Sequence, residues 1–432
     1  MSAQLFIDHP DNLIDRPRQV RAVGLAEGVA TLTTDFVHAD GSIWQSVARF
    51  DIDGSGVLNL NTAAPIEGDW SLAEPGAFIW ALRKQSEPTD PNSSESLAPR
   101  ELKLQLHDAK GEVATATLTQ RILADGVIRR EVREEGLSGT LFTPSGTGPF
   151  PLVIVLNGSG GGMPESRAAL FAAQGYQSLA LGYFKAPGRP DYLSETPLEY
   201  FEQALIWARQ ALRPRADFIA VAGHSRGGEL ALLLGATYPD LVSAVMGYVP
   251  SAVVHGTLRA GRPDEPRDAI AWTYQGQPLR NIWQDNPAAD WHAFDHPPQP
   301  GAPIRQAPAF VAVEQHAASL TAARIPVERI AGPVLLISGS DDGFWPSRDY
   351  CRRIEETLRA HRHRWPVEHV ENNGAGHAIG FPGVPTTDIA RVHPVAGVVI
   401  DGGGTALENA RANQRSWERV LVFLAAATSA QS

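Results

Sequence analysis

The sequence predicts an α/β protein whose mostly parallel, doubly wound sheet is preceded by an all-β sandwich domain. The main support is a change in pattern along the chain. Short segments of alternating polar and apolar residues dominate up to about Arg133, whereas continuous apolar runs alternate with helical patterns after Gly146. The 432 residues, 43% hydrophobic and 20% charged, allow two or three domains and exclude a disordered or fibrous protein. We place the sandwich in residues 1–140 and the α/β domain in residues 141–432.

The strands of the first part are predicted from alternation at period two. Turn-forming pairs such as Asp53-Gly54 and Lys110-Gly111 separate these segments, as expected for antiparallel strands with one buried face. The predicted strands are Gln19–Val23, Val29–Val37, Ser46–Ile52, Leu102–Leu106, Val113–Leu118 and Val127–Val132. The polar stretch Ser86–Pro99 is expected to be an exposed loop within this small β-sandwich.

The second part has the pattern of buried strands followed by crossover helices, which predicts a parallel sheet covered on both faces. The predicted strands are Phe150–Leu156, Gln177–Leu181, Phe218–Ala222, Val242–Val249, Val334–Ser338 and Val367–Glu371. The predicted helices are Glu165–Gln174, Pro197–Leu212, Gly227–Ala236, Ser347–Ala360 and Ala406–Ala427. Residues 251–330 break this pattern with a stretch rich in proline and tryptophan, which predicts a lid-like insertion.

Charge and cysteine content exclude several classes of protein. A formal net charge of −11 and a pI near 5.6 match a polyanion poorly, so nucleic acid is not expected as a partner. Cys351 is the single cysteine, which rules out an intramolecular disulfide, a multi-cysteine zinc site and an iron–sulfur cluster. Because Cys351 falls within a predicted helix, we expect it to be a buried apolar residue.

No targeting or membrane segment is recognisable in the sequence. Met1–Pro10 contains an aspartate and a histidine where a secretory signal needs an apolar run. The apolar stretches Leu230–Leu234 and Val420–Ala427 are far shorter than the roughly 18 residues of a membrane span. We therefore expect a cytoplasmic, soluble protein with no membrane partner. No cofactor is expected. No metal is expected either, since His361–Arg364 is interpreted as a solvated helix end rather than a metal site. The sequence does not indicate the oligomeric state.

A candidate nucleophile follows the third predicted strand of the α/β domain. Gly223-His224-Ser225-Arg226-Gly227 has the pattern Gly-x-Ser-x-Gly and lies directly between a predicted strand and a predicted helix. In this context the turn is sharp enough to expose the serine above the sheet, and the glycines avoid clashes with neighbouring elements. The alternative is a glycine-rich turn with a capping serine. The strand–turn–helix context favours Ser225 as a catalytic nucleophile.

A base and an acid follow in the order that such folds use, at the ends of later strands. His377 lies on the glycine-rich loop after Val367–Glu371, and we predict that it is the general base. Two adjacent aspartates follow Val334–Ser338. We favour Asp342 over Asp341 as the acid because of its spacing between Gly339 and Pro346, and we expect the other aspartate to cap the following turn.

Backbone N–H groups that could hold an oxyanion are expected at two places. One is Arg226, the residue after the nucleophile, at the start of a helix. The other is the loop Asn157–Gly162, in which either Ser159 or Gly160 is the expected donor. A flexible turn is the alternative interpretation of this loop. A phosphate-binding Walker loop does not fit, because no Gly-Lys-Ser/Thr follows.

As a whole, the chain resembles the family of acyl-CoA thioester hydrolases and bile acid-CoA:amino acid N-acyltransferases. This resemblance implies an α/β-hydrolase fold preceded by an all-β, immunoglobulin-like sandwich domain, with Ser225, Asp342 and His377 as a catalytic triad. The ordered set of matching segments carries the resemblance: Asp15-Arg16-Pro17, Gly76–Trp80, Asn157–Gly162, Gly182-Tyr183-Phe184, Gly223–Gly228, Pro250–Val254, Ile325–Glu328, Gly339–Ser347, Gly374–His377 and Gly403–Arg415.

The resemblance implies hydrolysis of a small-molecule acyl-CoA thioester. The N-acyltransferases of the family tend to use cysteine where Ser225 stands, so the serine points to hydrolysis. His224 and Arg226, which flank it, leave the acyl preference open. Three alternatives remain: a carboxylesterase or lactonase on oxygen esters, an acyl-CoA:amino acid N-acyltransferase, and a non-catalytic binding protein. Coenzyme A phosphates require cations at the pocket rim, and the sequence does not choose among the candidate residues Lys185, Arg189, Arg259 and Arg262.

Overall fold

The computed structural model describes residues 2–89, 97–111 and 113–430, so residues 90–96 of the predicted exposed loop lie outside the described residues. The chain forms two compact units. The first contains Met1–Ala124 together with Phe381–Asp388 and Thr405–Arg411. The second contains Asp125–Gly380, Ile389–Gly404 and Ala412–Ser432. Two segments near the C-terminus, Phe381–Asp388 and Thr405–Arg411, thus belong to the first unit. The hydrophobic pattern of the sequence does not predict this assignment.

The described residues of the first unit form a β-sandwich of a three-stranded and a seven-stranded sheet, together with the short helix α1 (Ala77–Trp80). Its strands are β1 (Gln4–Ile7), β2 (Asp11–Leu13), β3 (Val20–Val23), β4 (Gly28–Val37), β5 (Ile43–Ile52), β6 (Leu58–Asn59), β7 (Glu67–Gly68), β8 (Arg83–Lys84), β9 (Arg100–His107) and β10 (Val113–Arg121). The small sheet has the order β1-β3-β6, and the large one β2-β10-β9-β4-β5-β7, with β8 also on β5.

Alternation along the strands explains the core of this unit. In β9 every second residue from Leu102 to Leu106 is buried, and the residues between them are exposed. Val20 and Leu58 of the small sheet join Leu104 of the large sheet in one hydrophobic cluster. The predicted sandwich strands therefore form where the alternation is found, with one exception.

The exception is the segment Val127–Val132, whose assignment to the sandwich is wrong. Ile128–Val132 pairs antiparallel with Gly139–Thr143, and both belong to the sheet of the second unit. Four of the five residues of this strand are exposed, as at the edge of a sheet. The sequence indicates a strand here but not its partner, because strand pairing is a tertiary property, so the pattern alone does not tell the two sheets apart.

The second unit contains an eight-stranded sheet and eight helices within the described residues. Its strands are β11 (Ile128–Val132), β12 (Gly139–Thr143), β13 (Leu152–Leu156), β14 (Gln177–Leu181), β15 (Thr196–Pro197), β16 (Ile219–His224), β17 (Ala244–Tyr248), β18 (Trp272–Tyr274), β19 (Gln277–Pro278), β20 (Val334–Gly339), β21 (Val367–Asn372), β22 (Ala390–Val392) and β23 (Val399–Asp401). Its helices are α2 (Glu165–Ala173), α3 (Glu199–Trp207), α4 (Arg226–Thr237), α5 (Trp291–Asp295), α6 (Ala307–Val313), α7 (Ala317–Ala322), α8 (Ser347–Ala360) and α9 (Ala406–Ser429), whose first residues are counted with the first unit.

The main sheet has the order β11-β12-β14-β13-β16-β17-β20-β21, with parallel pairing from β14 to β21. All residues of β13, β17 and β20 are buried, which accounts for their continuous apolar sequences. The predicted α/β-hydrolase fold with a mostly parallel sheet is confirmed. The chain reverses its order of strand addition at β13, and the carboxyl ends of β13 and β16 lie side by side there.

The insertion over residues 251–330 contains ordered elements rather than one long irregular loop. It holds the strand pair β18 and β19 and the helices α5, α6 and α7. Trp272, Trp283, Phe294 and Phe310 are buried and belong to the same hydrophobic cluster as the main sheet. The aromatic residues that break the sequence pattern therefore extend the core. None of the helices in the described ranges combines the length and apolar character of a membrane span.

Candidate active site

Ser225 occupies a sharp turn between β16 and α4. Its backbone has φ 57° and ψ −120°, a conformation that non-glycine residues rarely adopt. A Cβ at Gly223 would lie 1.8 Å from the carbonyl oxygen of Gly227, and one at Gly227 would lie 2.4 Å from that of Asn157. The Ser225 N–H donates to the carbonyl of Tyr248 at the end of β17, over 2.8 Å. The glycines of the motif are thus required by close backbone approach.

His377 and Asp342 are hydrogen-bonded to each other. The Nδ1 atom of His377 lies 2.9 Å from both carboxylate oxygens of Asp342, and the two side chains are 6% and 1% exposed. Because a carboxylate accepts, Nδ1 carries the proton and Nε2 is left with a free lone pair. This Nε2 atom is buried and has no hydrogen-bond partner within the described chain.

The neighbouring aspartate has different contacts. Asp341 forms an ion pair with Arg305 and accepts the N–H of Gly404 over 2.8 Å, with 48% of its side chain exposed. Asp342 itself accepts the N–H groups of Phe344 and Trp345. The expectation that the aspartate not bonded to the histidine caps the following turn is therefore wrong, because Asp342 does both.

Contacts to both the ring and the backbone hold His377 in place. The Phe344 ring stacks on it at 4.3 Å between ring centroids and 11° between planes. The Nε2–H of His224 donates to the His377 carbonyl over 3.0 Å, and the N–H of His377 donates to Gly402. Burial, together with the nearby His377 and Arg167, holds the pKa of His224 well below its usual range, so His224 is a neutral donor. His224 thus ties the nucleophile turn to the histidine loop.

The predicted oxyanion donors lie on either side of Ser225. Ser159 and Arg226 line the same cavity as Ser225, whereas Gly160 packs against Pro394. None of the backbone N–H groups of Ser159, Gly160 and Arg226 donates a hydrogen bond within the described part of the chain. Gly158 packs closely on the nucleophile, since a Cβ there would lie 3.2 Å from the Cβ of Ser225. The loop is therefore close enough to Ser225 for its amides to reach a bound carbonyl.

His393 is a further residue of this cavity that the sequence did not reveal. Its Nε2 lies 2.9 Å from Ser159 Oγ, and its Nδ1 accepts the N–H groups of Val395 and Ala396. The proton is therefore on Nε2 and is donated to Ser159. Burial, with the charges of Arg259 and Lys185, lowers the pKa of His393 to about 4. No motif marks this histidine, because its partner lies far away in sequence.

The side chain of Arg226 forms a buried ion pair with Glu229 on the next turn of α4. The closest atoms are 2.9 Å apart, and the side chains are 3% and 0% exposed. Glu229 also accepts the indole N–H of Trp272, and Arg226 donates to the carbonyls of His255 and Gly256. These contacts join the nucleophile helix to the insertion. A single acidic residue in the apolar helix pattern is the sequence signal for such a pair.

The cavity beside Ser225 is small, with a volume of about 30 Å³. Aromatic rings and polar side chains both contribute to its wall. The lining residues are Ser159, Ser225, Arg226, Thr257, Leu258, Arg259, Phe294, Gln306, Phe310, Phe344, Trp345 and His393. Of the four cations considered for coenzyme A, Arg259 lines it. Lys185 bonds Pro394, Arg189 stacks on Tyr200, and Arg262 pairs with Glu195 and Glu265.

The structure brings some of the predicted site residues into direct contact but not all of them. Asp342 and His377 are in direct contact, and the predicted amides flank Ser225. Ser225 Oγ and His377 Nε2 are not hydrogen-bonded to each other within the described residues, although His224 connects their two loops. Catalytic hydrogen bonds of this kind are often long in the free enzyme and shorten with substrate.

Sequence comparisons agree with this architecture over both units. Residues 15–134 match the family model "Acyl-CoA thioester hydrolase/BAAT N-terminal region", and residues 302–430 match "BAAT / Acyl-CoA thioester hydrolase C terminal". Acyl-coenzyme A thioesterase 6 of Mus musculus is 31% identical over 425 residues, covering 95% of this chain and 93% of the relative. Mitochondrial acyl-coenzyme A thioesterase 2 of Mus musculus is 29% identical over 422 residues, covering 95% and 86%. Acyl-coenzyme A thioesterase 6 of Homo sapiens is 28% identical over 421 residues, covering 95% and 93%.

The similarity is continuous, since each of these relatives aligns with 95% of the chain. The order of elements in the second unit and the loops around Ser225 agree with the resemblance in the sequence. The chain belongs to the family of acyl-CoA thioester hydrolases and bile acid-CoA:amino acid N-acyltransferases.

Proposed function

We propose that this protein hydrolyses acyl-CoA thioesters to a free acid and coenzyme A, through an acyl-enzyme on Ser225. The observation that carries the proposal is the hydrogen bond between His377 and Asp342, which leaves the buried Nε2 atom of the histidine as an acceptor. The substrate class comes from the relatives, whose names describe them as acyl-coenzyme A thioesterases.

In the first step, His377 Nε2 takes the proton of the Ser225 hydroxyl while Oγ attacks the thioester carbonyl carbon. Asp342 keeps the proton on Nδ1 and stabilises the imidazolium that forms. The positive φ of Ser225 directs the side chain away from the sheet, where a substrate can approach. The stacked ring of Phe344 limits rotation of the imidazole, and the hydrogen bond from His224 to the His377 carbonyl holds the backbone of the histidine loop.

The tetrahedral oxyanion is held by backbone N–H groups on both sides of the nucleophile. We assign Arg226 as one donor, because its amide is the first of α4 and is free of other partners in the described chain. We assign Ser159 rather than Gly160 as the other, because Ser159 lines the cavity and Gly160 faces Pro394. The Ser159 hydroxyl oxygen accepts a hydrogen bond from the Nε2–H of His393, so its own hydrogen is available for donation.

The tetrahedral intermediate collapses with loss of the coenzyme A thiolate, and the thiolate takes the proton from the His377 imidazolium, which returns His377 to its neutral form. A thiol with a pKa near 8.5 needs less help from a general acid than an alcohol or amine does. Water then attacks the acyl-enzyme, neutral His377 accepts a proton from the water, and that proton returns to Ser225 Oγ as the free acid leaves. Because the thiolate leaves readily, we expect deacylation to limit turnover.

Purified protein tested with acyl-CoAs of different lengths and with p-nitrophenyl esters will decide the substrate class. We expect kcat/KM for the best acyl-CoA to exceed that for the best oxygen ester. Ser225→Ala is the control, because alanine lacks the nucleophilic hydroxyl and its side chain is small enough to fit in place of serine. Preference for the oxygen esters would contradict thioesterase function and favour a carboxylesterase or lactonase.

The same assay separates hydrolysis from acyl transfer. Glycine or taurine is added to the reaction, and the products are separated as free acid and amide. We expect the free acid to remain the product, because a serine rather than a cysteine is the nucleophile. An amide as the main product would identify an N-acyltransferase. Absence of turnover with every substrate, and of Ser225 labelling by a fluorophosphonate, would indicate a non-catalytic binding protein.

A further inference from the structure

The side chain of Ser159 lies in the wall of the cavity that contains Ser225. Ser159 belongs to a tight turn, closed by a hydrogen bond of 3.1 Å from the Gly161 N–H to the Gly158 carbonyl. The turn packs on the nucleophile, since a Cβ at Gly158 would lie 3.7 Å from Ser225 Oγ. The side chain of Asn157 donates to the Gly161 carbonyl over 2.6 Å. The loop therefore fixes Ser159 close to the nucleophile.

A buried histidine sets the direction of the Ser159 hydroxyl. His393 is 5% exposed, and its Nδ1 accepts the N–H groups of Val395 and Ala396 over 3.3 and 3.2 Å. Nδ1 therefore carries no proton, so the proton is on Nε2, which donates to Ser159 Oγ over 2.9 Å. Because the hydroxyl oxygen accepts this bond, its own hydrogen points away from His393.

The hydrogen of the Ser159 hydroxyl has no acceptor within the described chain, where His393 is the one partner of this group. The Arg226 N–H borders the same cavity and likewise lacks an acceptor in that part of the chain. None of the described residues that line the cavity is acidic. Two unpaired donors beside Ser225 favour the binding of an oxygen that carries negative charge.

The segment that carries His393 is attached to the same loop at a second point. Pro394 packs on Gly160, where a Cβ would lie 3.2 Å from the proline Cγ. The Lys185 ammonium donates to the Pro394 carbonyl over 2.9 Å. The imidazole is therefore anchored by contacts other than its hydrogen bond to Ser159, as a group that orients a neighbour must be.

A neutral histidine suits this arrangement. Burial, and to a smaller extent the charges of Arg259 and Lys185, lower the pKa of His393 to about 4, so the ring carries one proton at neutral pH. The hydrogen bonds then run in one direction, from His393 Nε2 to Ser159 Oγ and from the hydroxyl hydrogen into the cavity. Each bond in such a chain polarises the next, so the hydroxyl becomes a stronger donor.

We propose that the Ser159 hydroxyl is a side-chain donor to the oxyanion, in addition to the backbone N–H groups, and that His393 is the positioning residue that orients it. This inference rests on the proposed role of Ser225 as the nucleophile. The hydroxyl keeps its proton throughout and forms no covalent bond. It donates a hydrogen bond to the oxyanion of each tetrahedral intermediate, so acylation and deacylation are both accelerated.

Ser159→Ala tests the hydroxyl, because it removes the side-chain donor and keeps the backbone N–H. With the best acyl-CoA we expect kcat and kcat/KM to fall together by about 100-fold, as for an interaction made only in the transition state. Ser178→Ala is the matched control and should keep kcat within about twofold of wild type. Ser178 is a buried serine of β14 that does not line the cavity, and its hydroxyl has no hydrogen-bond partner within the described chain.

A double-mutant cycle tests the positioning role of His393. His393→Leu removes the donor to Ser159 and should lower kcat by about three- to tenfold. In the Ser159→Ala background the same change should alter kcat by less than about twofold, because the hydroxyl that His393 orients is absent. His393→Gln, whose amide can donate to Ser159, should keep kcat within about twofold of wild type. Additive losses would contradict the positioning role.

Labelling of Ser225 by a fluorophosphonate gives a second measurement that needs no thioester. Attack on phosphorus also places negative charge on an oxygen in the site, so Ser159→Ala should slow labelling by about tenfold or more. Thermal unfolding checks that every variant folds. If His393→Leu does not fold, kcat and the labelling rates of Ser159→Ala and His393→Gln decide.

The outcomes distinguish the inference from the function on which it rests. Labelling that depends on Ser159, without hydrolysis of any acyl-CoA, would contradict the proposed substrate class and support the inference. Absence of both labelling and hydrolysis in the wild type would contradict both. Wild-type kcat in a folded Ser159→Ala protein would overturn the inference and leave the thioesterase function intact. A higher KM with unchanged kcat would also overturn it, because the hydroxyl would then bind substrate and transition state equally.

Discussion

The adjacent aspartates Asp341 and Asp342 are hard to distinguish in the sequence, but they form different contacts in the structure. We predict that Asp342→Asn lowers kcat by about 10⁴-fold, because an amide no longer enforces the proton on Nδ1 of His377. Asp341→Asn is the control, since Asp341 bonds Arg305 and Gly404 instead, and it should lose less than about tenfold. The check is kcat with saturating thioester. A larger loss for Asp341→Asn would contradict the assignment.

Spacing and order could predict that Ser225, Asp342 and His377 follow strands of the same parallel sheet, and their catalytic roles stay a prediction. His393 could not be predicted in this way. Its partner Ser159 is 234 positions away, and nothing in the surrounding sequence indicates that a histidine there would be buried. The turn-capping role expected for the second aspartate also failed, because the hydrogen bonds of both aspartates depend on tertiary contacts.

Histidines that are buried and neutral predict sensitivity to acid. The folded-state pKa of His393 is about 4, below the usual 6.5, so between these values the unfolded chain binds a proton that the folded chain does not. The free energy of unfolding should therefore fall as pH decreases through this range, by about 2 kcal/mol at pH 5 for this residue. His224 and His255, also buried with a lowered pKa, act in the same direction.

Urea unfolding at pH 7 and pH 5 measures this effect. His393→Gln should reduce the loss of stability on acidification, because glutamine does not titrate. His361→Gln is the control for replacing a histidine by glutamine, since His361 is exposed at the end of α8, and it should change the free energy of unfolding at pH 7 by less than about 0.5 kcal/mol. An unchanged dependence in His393→Gln would contradict the assignment of a neutral, buried imidazole.

At the scale of elements, helix α4 joins the nucleophile to the insertion through the buried pair of Arg226 and Glu229. Glu229→Ala should lower the free energy of unfolding by about 3–5 kcal/mol, because Arg226 would keep a buried charge without its partner. Glu356→Ala, at an exposed position of α8, should change it by less than about 0.5 kcal/mol. Urea unfolding measures both variants. Similar values for the two would show that the buried pair contributes little.

The elements that the sequence predicted well are those with a strong period or a continuous apolar run. Helix α8 and strand β14 begin and end at the predicted residues. Strand β11 was grouped with the wrong sheet, since its pairing with β12 is a tertiary property. The helices of the insertion are not predicted, because they are only five to seven residues long, too short to show a regular apolar stripe.

The proposed function depends on one property of the main sheet. Its parallel strands β13, β16, β20 and β21 end at the same edge, and each is followed by a loop that carries a candidate catalytic group. Loops that are distant in sequence are thereby brought to one place. The reversal of strand order at β13 leaves room beside Ser225, which the insertion lines with aromatic and polar side chains.

The proposed role of Ser225 as the nucleophile of a thioesterase is tested by the turnover of Ser225→Ala with the best acyl-CoA. We predict that kcat falls on the order of a million-fold, to the level left by substrate binding and the oxyanion donors alone. Retention of even about a tenth of the wild-type rate by a correctly folded Ser225→Ala protein would contradict this account.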